Sequence, residues 1–129
     1  MNVNEKLQSY TKCLNNLEEA FTVEPSSLII DGTFRRFKIT FELAWKTLKD
    51  YLEYNGISDS IASPRGIIQL AYQSKIIKNG DIWIEMMLTR NELSHLYDED
   101  KSREIYNNIR DKYLIELDNL KNFLKEKVK

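Results

Sequence analysis

The segment Arg90-Asn91-Glu92-Leu93-Ser94-His95-Leu96-Tyr97 gathers the chain's single histidine with an arginine, an asparagine, a serine and a tyrosine. Imidazole has a reference pKa of about 6.5 and can both take and give a proton at neutral pH, so His95 is the acid/base candidate. Arginine brings a permanent charge and a planar fork of donors suited to phosphate oxygens. Asn91 stands four residues before His95, a helical spacing from which an amide can hydrogen-bond the ring and set its tautomer. On an uninterrupted helix Arg90 and His95 lie about 140° apart, while Arg90 and Tyr97 are nearly in line. A polar face this broad requires the helix to unwind near Ser94, or the face to line a cleft that a second copy of the chain can complete. From spacing alone, side chains that cap a helix end and bond the following turn account for the same residues.

Elsewhere the chemistry-bearing types have simpler readings. Trp83, Met86 and Met87 fall at helical spacing and read as core rather than as a cofactor box. Arg35, Arg36 and Lys38 read as a solvated helix face, with a phosphate-tracking face as the alternative. Cys13 lies beside the apolar Leu14 and reads as packing. One cysteine and one histidine form neither an internal disulfide nor a His/Cys zinc set, so no metal and no cofactor is expected, and a reducing cytoplasm is the expected home.

The elements that must position the segment follow from apolar periodicity. Val3, Leu7, Tyr10, Leu14, Leu17 and Phe21 alternate steps of four and three, which predicts an amphipathic helix over 3–21. Glu24-Pro25-Ser26-Ser27 interrupts it, and a second helix starts between Ser26 and Thr33 and runs to about Tyr54. That helix carries two adjacent apolar stripes, one through Phe34, Phe37, Phe41 and Leu48, the other through Ala44, Trp45, Tyr51 and Leu52, so it should be central. On its polar face Glu42 can pair with Lys46, and Lys46 with Asp50. Asn55-Gly56 should end it.

Ser63-Pro64 starts a short third helix to about Ile77, closed by Lys78-Asn79-Gly80. Asp81 is positioned to cap a fourth helix through Trp83, Met86, Met87, Arg90 and Leu93. The acidic run Asp98-Glu99-Asp100 suits the start of a fifth, whose stripe is Tyr106, Ile109, Tyr113, Leu117, Leu120 and Leu124. Four long helices and one short one, joined by short connections, predict an all-α antiparallel four-to-five-helix bundle forming one domain over residues 1–129.

Composition narrows the function classes. Nineteen Lys+Arg against twenty Asp+Glu give a net charge of −1, so any nucleic-acid contact must come from a local basic patch. The polar start Met1-Asn2-Val3-Asn4-Glu5-Lys6 lacks the apolar core of a signal peptide. No uncharged run approaches the roughly 18 residues that span a bilayer, and no membrane association is expected.

Three stretches resemble the nucleotidyltransferase substrate-binding family of HEPN proteins, whose HepT-like toxin members partner minimal nucleotidyltransferases. They are Phe37-Lys38-Ile39-Thr40-Phe41-Glu42-Leu43-Ala44-Trp45-Lys46-Thr47-Leu48-Lys49-Asp50, then Ala62-Ser63-Pro64-Arg65, then Arg90 to Tyr97, which fits the family's Arg-x4-His-x-Tyr motif. The resemblance implies a homodimeric helical bundle with the motifs of two subunits facing a shared groove. It also implies a metal-independent ribonuclease toxin, paired with a cognate minimal nucleotidyltransferase as its antitoxin. Arg90 and His95 are then the catalytic pair, with Asn91 orienting and Tyr97 bordering the groove. In that family the tyrosine is also where the partner can attach AMP, which makes Tyr97 the modification site. Arg65 and Ser94 are weaker groove candidates. The same side chains around a phosphate equally suit a non-catalytic nucleotide- or substrate-binding subunit of a two-component nucleotidyltransferase, and a purely structural dimer is the third reading.

Overall fold

The computed structural model describes residues 3–57 and 63–128. Met1, Asn2 and Ala62, which entered the reading above, lie outside the described residues. Helix α1 spans Val3–Glu19 and tightens into a 3₁₀ turn at Ala20–Thr22; α2 spans Ser27–Tyr54, α3 Pro64–Gln73 and α4 Gly80–Glu92. A 3₁₀ turn at Leu93–His95 follows α4. Helix α5, Glu99–Asn108, continues through a π-helical segment at Ile109–Tyr113 into α6, Leu114–Lys127. No strand occurs among the described residues, and no helix there is long and apolar enough to cross a membrane.

The helix starts obey local chemistry. Ser26 accepts the Ile29 N–H, Ser63 accepts the Gly66 N–H, and Asp98 accepts the N–H groups of Asp100 and Lys101, each satisfying donors the first turn leaves free. At the end of α2, Gly56 takes a φ of 69° while the Ile57 N–H returns to the Leu52 carbonyl.

Cross-helix pairs give the topology. Lys6 meets Asp50 at 2.6 Å and the Thr40 hydroxyl meets the Cys13 carbonyl at 3.2 Å, so α1 and α2 are antiparallel. Asn79 bonds Glu116 while Lys112 bonds Glu85, so α4 runs against α5–α6. Phe37 stacks on Tyr113 and Tyr51 meets Phe123 edge-on, so α2 and the last rod run the same way. The result is the expected up-and-down bundle, with α3 as the short fifth helix.

Its core joins Leu7, Tyr10, Leu14 and Leu17 of α1 to Phe37, Phe41, Ala44, Leu48 and Leu52 of α2, Trp83 and Met86 of α4, and the stripe from Ile105 to Leu124. Thr33, Thr40 and Thr47 recur every seven residues on α2 and are fully buried; each hydroxyl donates to the carbonyl four residues back. Thr40 faces α1, and residues seven apart share a helix face, so this line of small self-satisfied side chains lets α1 approach closely.

Four local expectations need correction. Helix α3 stops at Gln73 rather than Ile77, because Lys75 takes the left-handed conformation (φ 62°) and turns the chain there. Lys78-Asn79-Gly80 therefore opens α4 instead of closing α3. Asp81 sits in the first turn of α4 but does not cap it; Asn79 holds the cap position and sends its amide to Glu116 at 2.8 Å. Asp50 pairs with Lys6 across α1 instead of with Lys46, which bonds Glu42 at 3.3 Å.

Candidate functional site

Helix α4 is anchored by Trp83, Met86 and Met87, all buried, and this carries Arg90 to the edge of the bundle where α2 passes. The α-helical pattern stops at Glu92. Leu93, which opens the 3₁₀ turn, and Leu96, which follows it, pack against the core, so the intervening Ser94 and His95 are held outward, and Tyr97 follows at 93% exposure. The expected unwinding near Ser94 is present, and Asp98 restarts the helix immediately afterwards.

A cleft of about 400 Å³ lies between α2, the start of α3 and α4. Its polar lining is Glu42, Ser63, Arg65, Arg90 and Asn91, set over Phe41, Met87 and Leu88. Arg90 Nη2 donates to Glu42 Oε2 at 3.3 Å, and Nη1 reaches Asn91 Oδ1 at 3.5 Å, the limit of a hydrogen bond. Arg90 Nε is buried and has no acceptor among the described residues. Asn91 thus bonds the guanidinium, where the spacing had it orienting the imidazole.

Arg65, Arg90 and Asn91 share this cleft, whereas Ser94, His95 and Tyr97 are exposed beyond the end of α4 and do not line it. Glu42 and Lys46 were legible in the sequence only as a surface pair; their place beside Arg90 needed the fold. Of the basic face on α2, Arg36 staples α2 to α1 through the Asn16 carbonyl and Glu19, and Arg35 is exposed.

Other features are less apt for chemistry. A cavity of about 410 Å³ between α1 and α6 is lined by Asn4, Gln8, Thr11, Lys12 and Lys125 among others, with no arginine or histidine. Cys13 is a free, half-buried thiol. Among the described residues no group of three or more His, Cys, Asp or Glu is arranged to hold a metal ion. On the other flank of α4, Tyr113 donates to Glu85 at 2.6 Å and Lys112 pairs with the same carboxylate at 3.0 Å. The Tyr113 hydrogen bond, with Lys112 adding to it, holds the Glu85 carboxyl below its ordinary range against the opposing effect of burial.

Fold and sequence together define a small all-helical bundle protein. The chain belongs to the family described as nucleotidyltransferase substrate binding protein like, which it matches over residues 5–126. It is 29% identical to the Haemophilus influenzae protein named "Probable ribonuclease HepT", over 74% of this chain and 69% of that protein. A solved Haemophilus influenzae structure, described as the fold of a substrate binding domain of a nucleotidyltransferase, aligns with a TM-score of 0.81 at 25% identity, covering 92% of this chain and 98% of that one. The crystal structure of a Thermus thermophilus protein aligns with a TM-score of 0.79 at 31% identity, covering 86% of this chain and 94% of that one.

Proposed function

We propose that the chain is a HEPN-type ribonuclease toxin acting without a metal ion, restrained by a cognate minimal nucleotidyltransferase. The observation that carries this reading is the exposed turn: the one histidine lies in solvent, five residues after a half-exposed arginine that lines a cleft. In the proposed reaction His95 takes the proton of a ribose 2′-hydroxyl as that oxygen attacks the adjacent phosphorus. The bond to the 5′-oxygen breaks, leaving a cyclic phosphate and a 5′-hydroxyl after reprotonation. Arg90 holds the phosphate and stabilises its developing charge, with Asn91 orienting it. A homodimer would set the turns of two copies across one groove and bring an Arg90 and a His95 to a single phosphate. Tyr97 is exposed enough for a partner enzyme to attach AMP, and a charged nucleotide there would fill the groove and offset the arginine's charge.

Incubating the purified chain with RNA in the presence of a chelator tests the nuclease. His95→Ala should reduce cleavage by about 10²- to 10⁴-fold, the usual worth of a positioned acid/base group, and expression of the wild type alone should arrest growth while the variant does not. Equal cleavage and equal growth would remove this reading.

A second reading has its own support, since the cleft joins Arg65, Arg90 and Asn91 without His95. On that reading the chain is a non-catalytic subunit presenting a nucleotide or other substrate to the transferase. AMP should then raise the unfolding temperature, and the rise should survive His95→Ala better than Arg90→Ala.

A further inference from the structure

Glu42 lies in the middle of α2 and Arg90 at the end of α4, yet they meet at 3.3 Å in the wall of the cleft. The carboxylate is divided: Oε2 takes Arg90 and Oε1 takes Lys46, also at 3.3 Å. The guanidinium's other contacts are weak, Nη1 to Asn91 at 3.5 Å, while Nε is buried with no acceptor among the described residues. Glu42 is therefore the group that fixes where this long, rotamer-rich side chain points. An exposed pair of this kind contributes little to folding, so its consequence is to be sought in geometry. Holding Nη2 from α2 keeps the guanidinium against the cleft and leaves Nη1, beside Asn91, for an incoming oxygen.

We infer that Glu42 is a positioning residue for Arg90, fixing its guanidinium for a phosphate group; the inference rests on the nuclease reading for its kinetic consequence but not for the pairing itself. The carboxylate has two opposed effects. It orients the arginine, which favours the step in which charge develops, and it lowers the local positive charge, which weakens binding of the anion before reaction. Removing its charge should therefore depress kcat without raising KM. A merely structural role would move the unfolding temperature and neither constant selectively.

The test compares the full-length wild type, Glu42→Gln, Glu42→Ala, Arg90→Ala and the Glu42→Ala/Arg90→Ala double variant. Each is measured for kcat and KM on a mixed-sequence pool of single-stranded RNA oligonucleotides, and for the ¹⁵N resonance of the Arg90 Nε–H. Glu42→Gln should lose about ten- to a hundredfold in kcat, as misplacement by an ångström does, with KM unchanged or lower and the Arg90 resonance shifted. Glu42→Ala should cost nothing further once Arg90 is absent. Wild-type kcat in Glu42→Gln, or a full additional loss in the double variant, would overturn the inference. Should the wild type itself leave RNA intact, the nuclease reading fails. The Arg90 resonance then decides alone: shifted in Glu42→Gln it supports the positioning role, unmoved it refutes it.

Discussion

Thr89, the residue immediately before Arg90, lies with its hydroxyl 3.0 Å from that of Tyr113. Tyr113 has one proton and directs it to the Glu85 carboxylate, which only accepts, so Thr89 donates to the Tyr113 oxygen. This chain of hydroxyls ties the last turn of α4 to the π-helical segment of the final rod, just ahead of the site. Tyr113→Phe should cost about 1 to 2 kcal/mol in urea unfolding, because it strands the buried Thr89 hydroxyl. Thr89→Val in the same chain should recover part of that loss, and simple additivity of the two would show the hydroxyls to be uncoupled.

The same contact predicts a pH dependence. Tyr113 first, and then Lys112, hold the Glu85 carboxyl below its ordinary value of 4.5. A group with a depressed folded pKa binds fewer protons than it does unfolded, so its contribution is complete above about 4.5 and is lost as pH falls through the folded value. Tyr113→Phe should raise the Glu85 titration midpoint, followed by carboxyl ¹³C shifts, and flatten the stability profile below pH 4.5. An unmoved midpoint would assign the depression to Lys112.

How far such features were legible depends on their range in sequence. Ser63 acts on a donor three residues away, so its cap could be read directly, as could the apolar stripes of α1 and α2; Ser26 and Asp98 read only as an interruption and as favourable charge, and the structure shows both to be caps. The unwinding near Ser94 was legible as one of two alternatives, because Arg90 and His95 lie about 140° apart on a continuous helix and so broad a polar face needs either a break or a cleft. The Glu42–Arg90 pair was not, since it spans 48 residues and depends on how α2 passes α4. Asn91 had two possible partners at local distance, and only the packed helices show it bonding the guanidinium. Lys75 misled for another reason: it makes a left-handed turn that a glycine or an asparagine would signal and a lysine does not.

If the cleft binds part of the substrate, Arg65 and Tyr97 should separate kinetically. Arg65 lines the cleft, which the exposed turn does not, so Arg65→Ala should raise KM for RNA about three- to tenfold with kcat within twofold, the pattern of binding lost equally in ground and transition states. An equal fall in kcat would place it among the groups that act on the reacting phosphate. Tyr97→Phe removes only a solvent-exposed hydroxyl and should leave cleavage within about twofold, as exposed substitutions usually do. On the proposed function it should also abolish AMP transfer by a cognate nucleotidyltransferase, measured by mass shift. Transfer that persists would assign the modification elsewhere.

Lys75 and Gly56 perform the same task with different residues. After α3 the Lys75 N–H donates to the Tyr72 carbonyl at 3.1 Å and the Ile76 N–H to Ala71 at 2.9 Å; after α2 the Gly56 N–H donates to Glu53 at 3.0 Å and the Ile57 N–H to Leu52 at 2.9 Å. Both central residues have positive φ, which costs a side chain bearing Cβ about 1 to 2 kcal/mol and glycine almost nothing. Lys75→Gly should therefore stabilise the fold by about 0.5 to 1 kcal/mol after the extra chain entropy of glycine is offset, and Gly56→Ala should destabilise it by about 1 kcal/mol. Both are read from urea midpoints at constant slope. Because these turns lie outside the Arg90–His95 region, the RNA cleavage expected on the proposed function should be unchanged in either at 25 °C. A lower midpoint for Lys75→Gly would mean that the lysine's own packing beside α3 outweighs the backbone strain it carries.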